Sequence, residues 1–133
     1  MITGTTIVGG FIIMKLSEKE WHVLEVLWQS GGSELGEIVI KLKANTGWSR
    51  NTVHTYLTRM EAKNLVYIDK NAAPHIYKAA VSKYECQKNE RRNFLHQVYN
   101  GNAGDMISAF LKEEKITDEE REKLKNLLDN MEV

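Results

Sequence analysis

The chain has one cysteine, one proline and no net charge. Cys86 has no second cysteine to pair with, so an intrachain disulfide is excluded and nothing points to secretion. Long hydrophobic runs are absent as well. The longest apolar stretch, Ile7 to Met14, is broken by Gly9 and Gly10 and falls far short of the roughly 20 residues a bilayer needs. No basic side chain precedes it, so the charge pattern of a signal peptide is missing. A cytoplasmic setting without direct membrane insertion is expected. There is also no phosphate-cradling glycine motif, no GxSxG and no HExxH, which leaves nothing on which to build an enzyme or a cofactor site. His22, His54, His75 and His96 lack the spacing of metal ligands.

The 133 residues are 42% apolar and 27% charged, values of a globular chain long enough for one ordinary domain or two small ones. Neutrality hides an uneven distribution. The window 41–70 holds six basic residues (Lys41, Lys43, Arg50, Arg59, Lys63, Lys70) against Glu61 and Asp69. The window 113–133 holds four basic and eight acidic residues. A basic middle attracts polyanions and an acidic end does not, so two functional halves are expected.

Residues 1–13 carry no charged side chain and three glycines. Two readings stay open: a flexible extension upstream of a natural start at Met14, or a genuine arm or short strand. The helical pattern begins after it. Ser17-Glu18-Lys19-Glu20 is a capping box, and Trp21, Leu24, Leu27 and Trp28 recur at helical spacing up to Gly31-Gly32. A second helix, starting at Ser33 or Glu34, places Leu35, Ile38, Val39 and Leu42 on one face and ends at Gly47. Ser49 is a suitable N-cap for a third. Its inward stripe is Val53, Tyr56, Leu57 and Met60, and its opposite face is Arg50, Asn51, His54, Thr55 and Thr58.

The period then changes. Val66-Tyr67-Ile68 and His75 to Ala79 read as strands around a turn that contains Pro74, so a two-stranded hairpin is predicted. Ser82 to Glu85 opens a long helix to about Asn100. Met106, Ile107, Phe110 and Leu111 mark a short helix. Thr117 to Glu120 caps a last one, with the stripe Leu124, Leu127, Leu128 and Met131.

Three helices followed by a hairpin, basic over the third helix and the hairpin, is the order of a winged helix-turn-helix. A helix fits the DNA major groove, and short polar side chains read base edges there. Lys70 and Asn71 in the hairpin loop suit phosphate or minor-groove contact. Winged helices also serve as protein-binding modules without DNA, so that alternative stays open. The helices of residues 81–133 are too few to bury their own stripes, which favours a homodimer. Folding back onto the first domain is the other solution. The expected architecture is mainly α: a winged-helix DNA-binding domain over 14–80 with a two-stranded wing, and a helical dimerisation domain over 81–133.

Several runs carry a resemblance. Leu16 to Trp21, Val23 to Trp28 and Gly47-Trp48-Ser49-Arg50-Asn51-Thr52-Val53-His54-Thr55-Tyr56-Leu57-Thr58-Arg59-Met60 resemble the penicillinase-repressor (BlaI/MecI) family. Arg92 to Gly101, Ala109 to Glu114 and the final helix are similar to its second domain. Met60 stands where the family has leucine, and Arg50 and Asn51 where it commonly has proline and lysine.

The resemblance covers about residues 15–131 and implies a dimeric repressor of a resistance-type operon, bound to double-stranded, dyad-symmetric operator DNA. Carried over by position, the DNA-facing set is Ser49, Arg50, Asn51, Thr52, His54, Thr55 and Arg59, joined by Lys70 of the wing. Arg50, Asn51 and His54 are the base-edge candidates, Thr52 and Thr55 suit phosphate or a thymine methyl, and Arg59 suits phosphate. Trp48 belongs to the core or packs near the DNA backbone. The dimerisation set is Phe94, Leu95, Val98, Ile107, Phe110, Leu111, Leu124, Leu127 and Leu128. Relatives are switched by a membrane sensor-protease that cuts an Asn-Phe bond, and Asn93-Phe94 sits at that place. A copper-sensing branch uses a cysteine cluster, which Cys86 alone cannot build. A family repressor answering a different signal is the remaining alternative.

Overall fold

The computed structural model describes residues 5–8 and 11–131. The chain forms β1 (Thr5–Val8), β2 (Phe11–Met14), α1 (Glu18–Ser30), α2 (Leu35–Thr46), α3 (Arg50–Ala62), β3 (Val66–Asp69), β4 (Ile76–Ala79), α4 (Lys83–Tyr99), α5 (Ala103–Glu113) and α6 (Asp118–Asp129). β1 and β2 pair antiparallel, with Val8 opposite Phe11. The extension expected over 1–13 falls in part on residues 1–4 and 9–10, which lie outside the described residues.

Caps set the helix ends as the sequence pattern predicts. Ser17 Oγ accepts from the Glu20 N–H (3.2 Å) while the Ser17 N–H donates to Glu20 Oε1 (2.9 Å). Gly31 and Gly47 close α1 and α2 at φ +71° and +65°, a left-handed conformation that other residues adopt only with strain. The α2 boundary resolves to Glu34 as N-cap, because Ser33 is engaged elsewhere. Thr117 and Glu120 form the reciprocal box expected at α6.

The chain divides into two compact units, Met1–Glu90 and Arg91–Val133. The first unit therefore reaches past the expected division at residue 80 and into α4. The reason is burial: Cys86 and Asn89, on the first part of α4, are both inside. The Trp28 indole N–H donates to the Val81 carbonyl (2.9 Å) and Lys83 pairs with Glu25 (3.0 Å), which fastens that segment to α1.

The core of the first unit is built from Val23, Leu24, Val26 and Leu27 of α1, Ile38 and Leu42 of α2, and Val53, Leu57 and Met60 of α3, closed by Leu65, Val66 and Tyr77. Trp21 and Trp28, expected in the buried stripe, lie at its margin, and Val23 takes the interior place instead. An indole that must keep its N–H bonded fits an edge better than a sealed core. β3 and β4 pair antiparallel with Val66 opposite Ala79 and Asp69 opposite Ile76. Ser33 adds a third rung. Its N–H donates to the Tyr77 carbonyl (3.0 Å) and its carbonyl accepts from the Tyr77 N–H (2.9 Å). The Arg91–Val133 unit, by contrast, has no buried residue among those described.

Glu20 is the one buried carboxylate among the described residues, and it ties the start of α1 to the end of α3 through Lys63 Nζ at 3.0 Å. Burial alone would push its carboxyl up. The Ser17 N–H, the Lys63 ammonium and the Ser17 hydroxyl outweigh that and hold it below its ordinary value of 4.5. A carboxyl lowered in the folded state adds stability that is complete above about pH 4.5 and is lost as pH falls through the folded value. Glu20→Gln keeps an oxygen for the cap but removes the charge. It is expected to cost about 1–2 kcal/mol near neutral pH by denaturant titration. The difference from the unmodified chain should shrink as pH falls through the lowered folded value of Glu20, and a pH-independent difference would contradict this role.

Candidate nucleic-acid interface

Ser49 sets the start of α3. Its hydroxyl accepts from the Thr52 N–H (3.3 Å) and lies 3.1 Å from Thr52 Oγ1. Val53, Leu57 and Met60 anchor the inner face, so the helical period turns Arg50, Asn51, His54, Thr55, Thr58 and Arg59 to solvent. Thr52, half-buried, stands between the faces. Trp48 packs against the core and stacks on Tyr56, with ring centroids 4.1 Å apart and planes at 24°. Tyr56, expected on the inward stripe, is only half-buried for that reason.

Hydrogen bonding restricts what the threonines can offer. Thr55 Oγ1 donates to the Asn51 carbonyl and Thr58 Oγ1 to the His54 carbonyl, each at 2.9 Å. A carbonyl only accepts, so the hydroxyl protons are spent within the helix. What remains outward is a methyl group and a lone pair, which suit a thymine methyl or a base amino group. A phosphate has only acceptors, so a contact from Thr55 would require the internal bond to break.

Ion pairs divide the basic residues into two groups. Lys63, Lys83 and Lys70 are held by Glu20, Glu25 and Glu61 respectively, the last at 3.5 Å. Among the described residues, Arg50 and Arg59 have no carboxylate within 4.0 Å. Lys70 is thus tethered to the last turn of α3, although its side chain stays 63% exposed. Asp69 orders the hairpin turn by accepting from the N–H groups of Asn71 (3.1 Å) and Ala72 (3.3 Å).

The structure brings Arg50 and His54 together in an open cleft of about 490 Å³. Its other walls are Glu34 and Gly36 from the start of α2, and Pro74 and His75 from the approach to β4. A Cβ at position 36 would stand 3.8 Å from Arg50 Nη1, so the guanidinium lies over the first turn of α2. Linear order separates these three segments. Packing of α2 on α3 through the core and the Ser33–Tyr77 bridge make them neighbours, and no sequence signal pointed to Glu34, Gly36 or His75. Lys70 does not line the cleft.

In the second unit, Phe94 and Val98 of α4, Ile107, Phe110 and Leu111 of α5, and Leu124, Leu127 and Leu128 of α6 are all exposed, Phe110 at 58% and Leu128 at 62%, while Leu95 is half-buried. Asn93 is half-buried beside the exposed Phe94. Phe94, Tyr99, Met106 and Phe110 line a shallow apolar cleft of about 210 Å³. Cys86 is buried in the first unit. Burial and the Glu85 carboxylate push its thiol up, which disfavours the reactive thiolate. No group of three His, Cys, Asp or Glu among the described residues is placed to hold a metal ion, and none of their helices is long and apolar enough to cross a membrane.

Three helices, a wing and an exposed polar face on α3 define a winged helix-turn-helix protein with a helical second unit. The model of the penicillinase repressor family matches residues 16–130, so the chain belongs to that family. It is 25% identical over 114 residues to the methicillin resistance regulatory protein MecI of Mammaliicoccus sciuri, covering 86% of this chain and 93% of the relative. It is 23% identical over 118 residues to the penicillinase repressor of Staphylococcus aureus, covering 89% and 94%. With the penicillinase repressor of Bacillus licheniformis it shares 25% identity over 117 residues, covering 88% and 91%.

The cap assigns Ser49 a structural duty separable from any ligand. Ser49→Ala is expected to lower the unfolding free energy by about 1 kcal/mol, and Ser49→Asn by no more than a few tenths. Equal losses for the two variants in denaturant titrations would contradict the cap.

Proposed function

We propose that the chain is a dimeric transcriptional repressor that binds dyad-symmetric operator DNA through α3 and the wing. The observation that carries this reading is the outward face of α3. It presents Arg50 and Arg59 without carboxylate partners, alongside Asn51 and His54, on a helix whose other face is locked in the core. Arg and Asn are the side chains best matched to the paired acceptor and donor groups of purine edges in the major groove. Arg59, towards the far end of α3, suits phosphate.

The Arg91–Val133 unit serves as the dimerisation domain in this reading. Its exposed stripes on α4, α5 and α6 are withdrawn from water by meeting a second copy. Two-fold pairing presents two α3 helices to two half-sites of one operator. The controlled genes are of the resistance type, as the names of the relatives state for those proteins. A cut between Asn93 and Phe94 by a membrane sensor-protease relieves repression, since breaking α4 removes the linkage between half-sites and with it most of the effective affinity.

Selection of fragments from the source genome by the purified chain, near physiological salt, tests the whole reading. Recovery of a two-fold symmetric site is expected. Recovery of nothing above background, from a folded dimer, would overturn it in favour of a protein-binding module. On the selected site, Asn51→Ala is expected to cost about 1–3 kcal/mol per half-site and relax sequence preference, while Arg59→Ala weakens all sequences evenly and lowers the salt slope by about 1 per protomer, about 2 for the dimer. Phe110→Glu should dissociate the dimer in sedimentation equilibrium. Incubation with induced sensor-protease should yield a break between Asn93 and Phe94, and an intact chain there would remove that switch.

A further inference from the structure

The cleft between α3 and the wing gathers polar groups from three separate segments of the chain. Arg50 and His54 approach it from α3, His75 from the end of the wing loop and Glu34 from the start of α2. We propose that this cleft is a seat for one phosphodiester of the DNA backbone, held by Arg50, His54 and His75 and opposed by Glu34. The inference rests on the DNA-binding reading above, moves Arg50 and His54 from base edges to the backbone, and adds Glu34 from the start of α2 and His75 from the end of the wing loop, neither of which the third-helix motif contains.

The chemistry of the lining favours an acceptor-only anion. A guanidinium presents several N–H donors in a fixed fork, and each imidazole presents at least one. Arg50 has its head over the backbone of Gly36, where a side chain is lacking, so the guanidinium is placed at the cleft rather than along α3. Among the described residues no carboxylate neutralises it. Glu34 is the N-cap of α2 but makes no side-chain cap bond, so capping does not draw its carboxylate away from the cleft. A negative charge there competes with a phosphate for the same cations and weakens the seat.

A free anion has the same acceptor chemistry, but position favours DNA. Two of the cleft's residues, Arg50 and His54, belong to the outward face of α3 and two, Pro74 and His75, to the wing loop. A strand that passes from the groove filled by α3 towards the wing crosses this cleft. Phosphate contacts fix register and carry no base information, so the cleft should act on affinity and leave sequence preference alone.

The test uses the full chain and a duplex of arbitrary sequence, about 30 base pairs long so that both α3 helices of a dimer can lie on it. Affinity is read by fluorescence anisotropy across a salt series. Glu34→Gln and His75→Arg are each expected to tighten binding about three- to tenfold, and His75→Arg to steepen the slope of log K against log salt by about 0.9 per protomer, about 1.8 for the dimer. His75→Glu should loosen binding to a similar degree. Gln29→Arg, an added charge on exposed α1 surface outside the cleft, should change it less than twofold. His75 is exposed and precedes β4, so these variants fold, which circular dichroism checks. Silent Glu34 and His75 variants, or a Gln29→Arg effect as large as theirs, would overturn the seat while leaving DNA binding intact. Competition by inorganic phosphate beyond its ionic strength would make the cleft a free-anion site and overturn the assignment to DNA. An unmodified chain that binds neither this duplex nor any genomic fragment would overturn the repressor reading, and the seat with it.

Discussion

The two backbone hydrogen bonds between Ser33 and Tyr77 hold the working surface together. They join the residue before α2 to the returning strand of the wing, across more than forty positions of sequence. Each such bond is worth only about 1 kcal/mol net, but Tyr77 is buried between the elements it connects, and its burial keeps the rung dry. From that rung the wing gains a fixed root. The start of α2 is brought beside the foot of the wing, and Arg50 and His54 of α3 share a cleft with His75. Burial of Val66 and Tyr77 anchors the wing to the core, and the rung adds a third strand-like segment to what would otherwise be a two-stranded ribbon.

Charge is organised by subtraction. The chain is neutral overall, yet carboxylates in the first unit are assigned to particular lysines: Glu20 to Lys63, Glu61 to Lys70 and Glu25 to Lys83. What is left over on α3 is arginine. Arginine holds its charge at any physiological pH and offers a planar fork of donors, so it suits recognition of purine edges and phosphates better than a lysine would. The acidic surplus lies over residues 113–133, in the other unit.

The two units solve burial differently. The first closes a core around fully buried Val23, Leu24, Ile38, Val53 and Leu57. The second has about forty residues, near the lower limit for a self-sufficient core, and leaves Phe94, Phe110, Leu127 and Leu128 exposed. Those apolar faces are the physical ground for a second copy. In the proposed repressor they make the unit that links the half-sites also the point at which a single peptide cut separates them.

Much of this was legible in the chain because it depends on short-range pattern. Capping at Ser17, Ser49 and Thr117, the stops at Gly31 and Gly47, the hairpin around Pro74 and the outward set on α3 follow from residues within one or two helical turns of each other. The family resemblance rests on such runs as well. Contacts between distant segments were not legible. The place of Trp21 and Trp28 at the core's margin, the Lys70–Glu61 and Lys63–Glu20 pairs, the reach of the first unit to Glu90 and the gathering of Glu34, Gly36 and His75 around Arg50 all depend on which surfaces meet. The sequence by itself determined the helices, the wing and the polar face of α3, since local hydrogen bonding and periodicity decide those. Only the tertiary structure decided which charges stay free and which residues share a cleft, since packing brings together side chains that the linear order keeps apart.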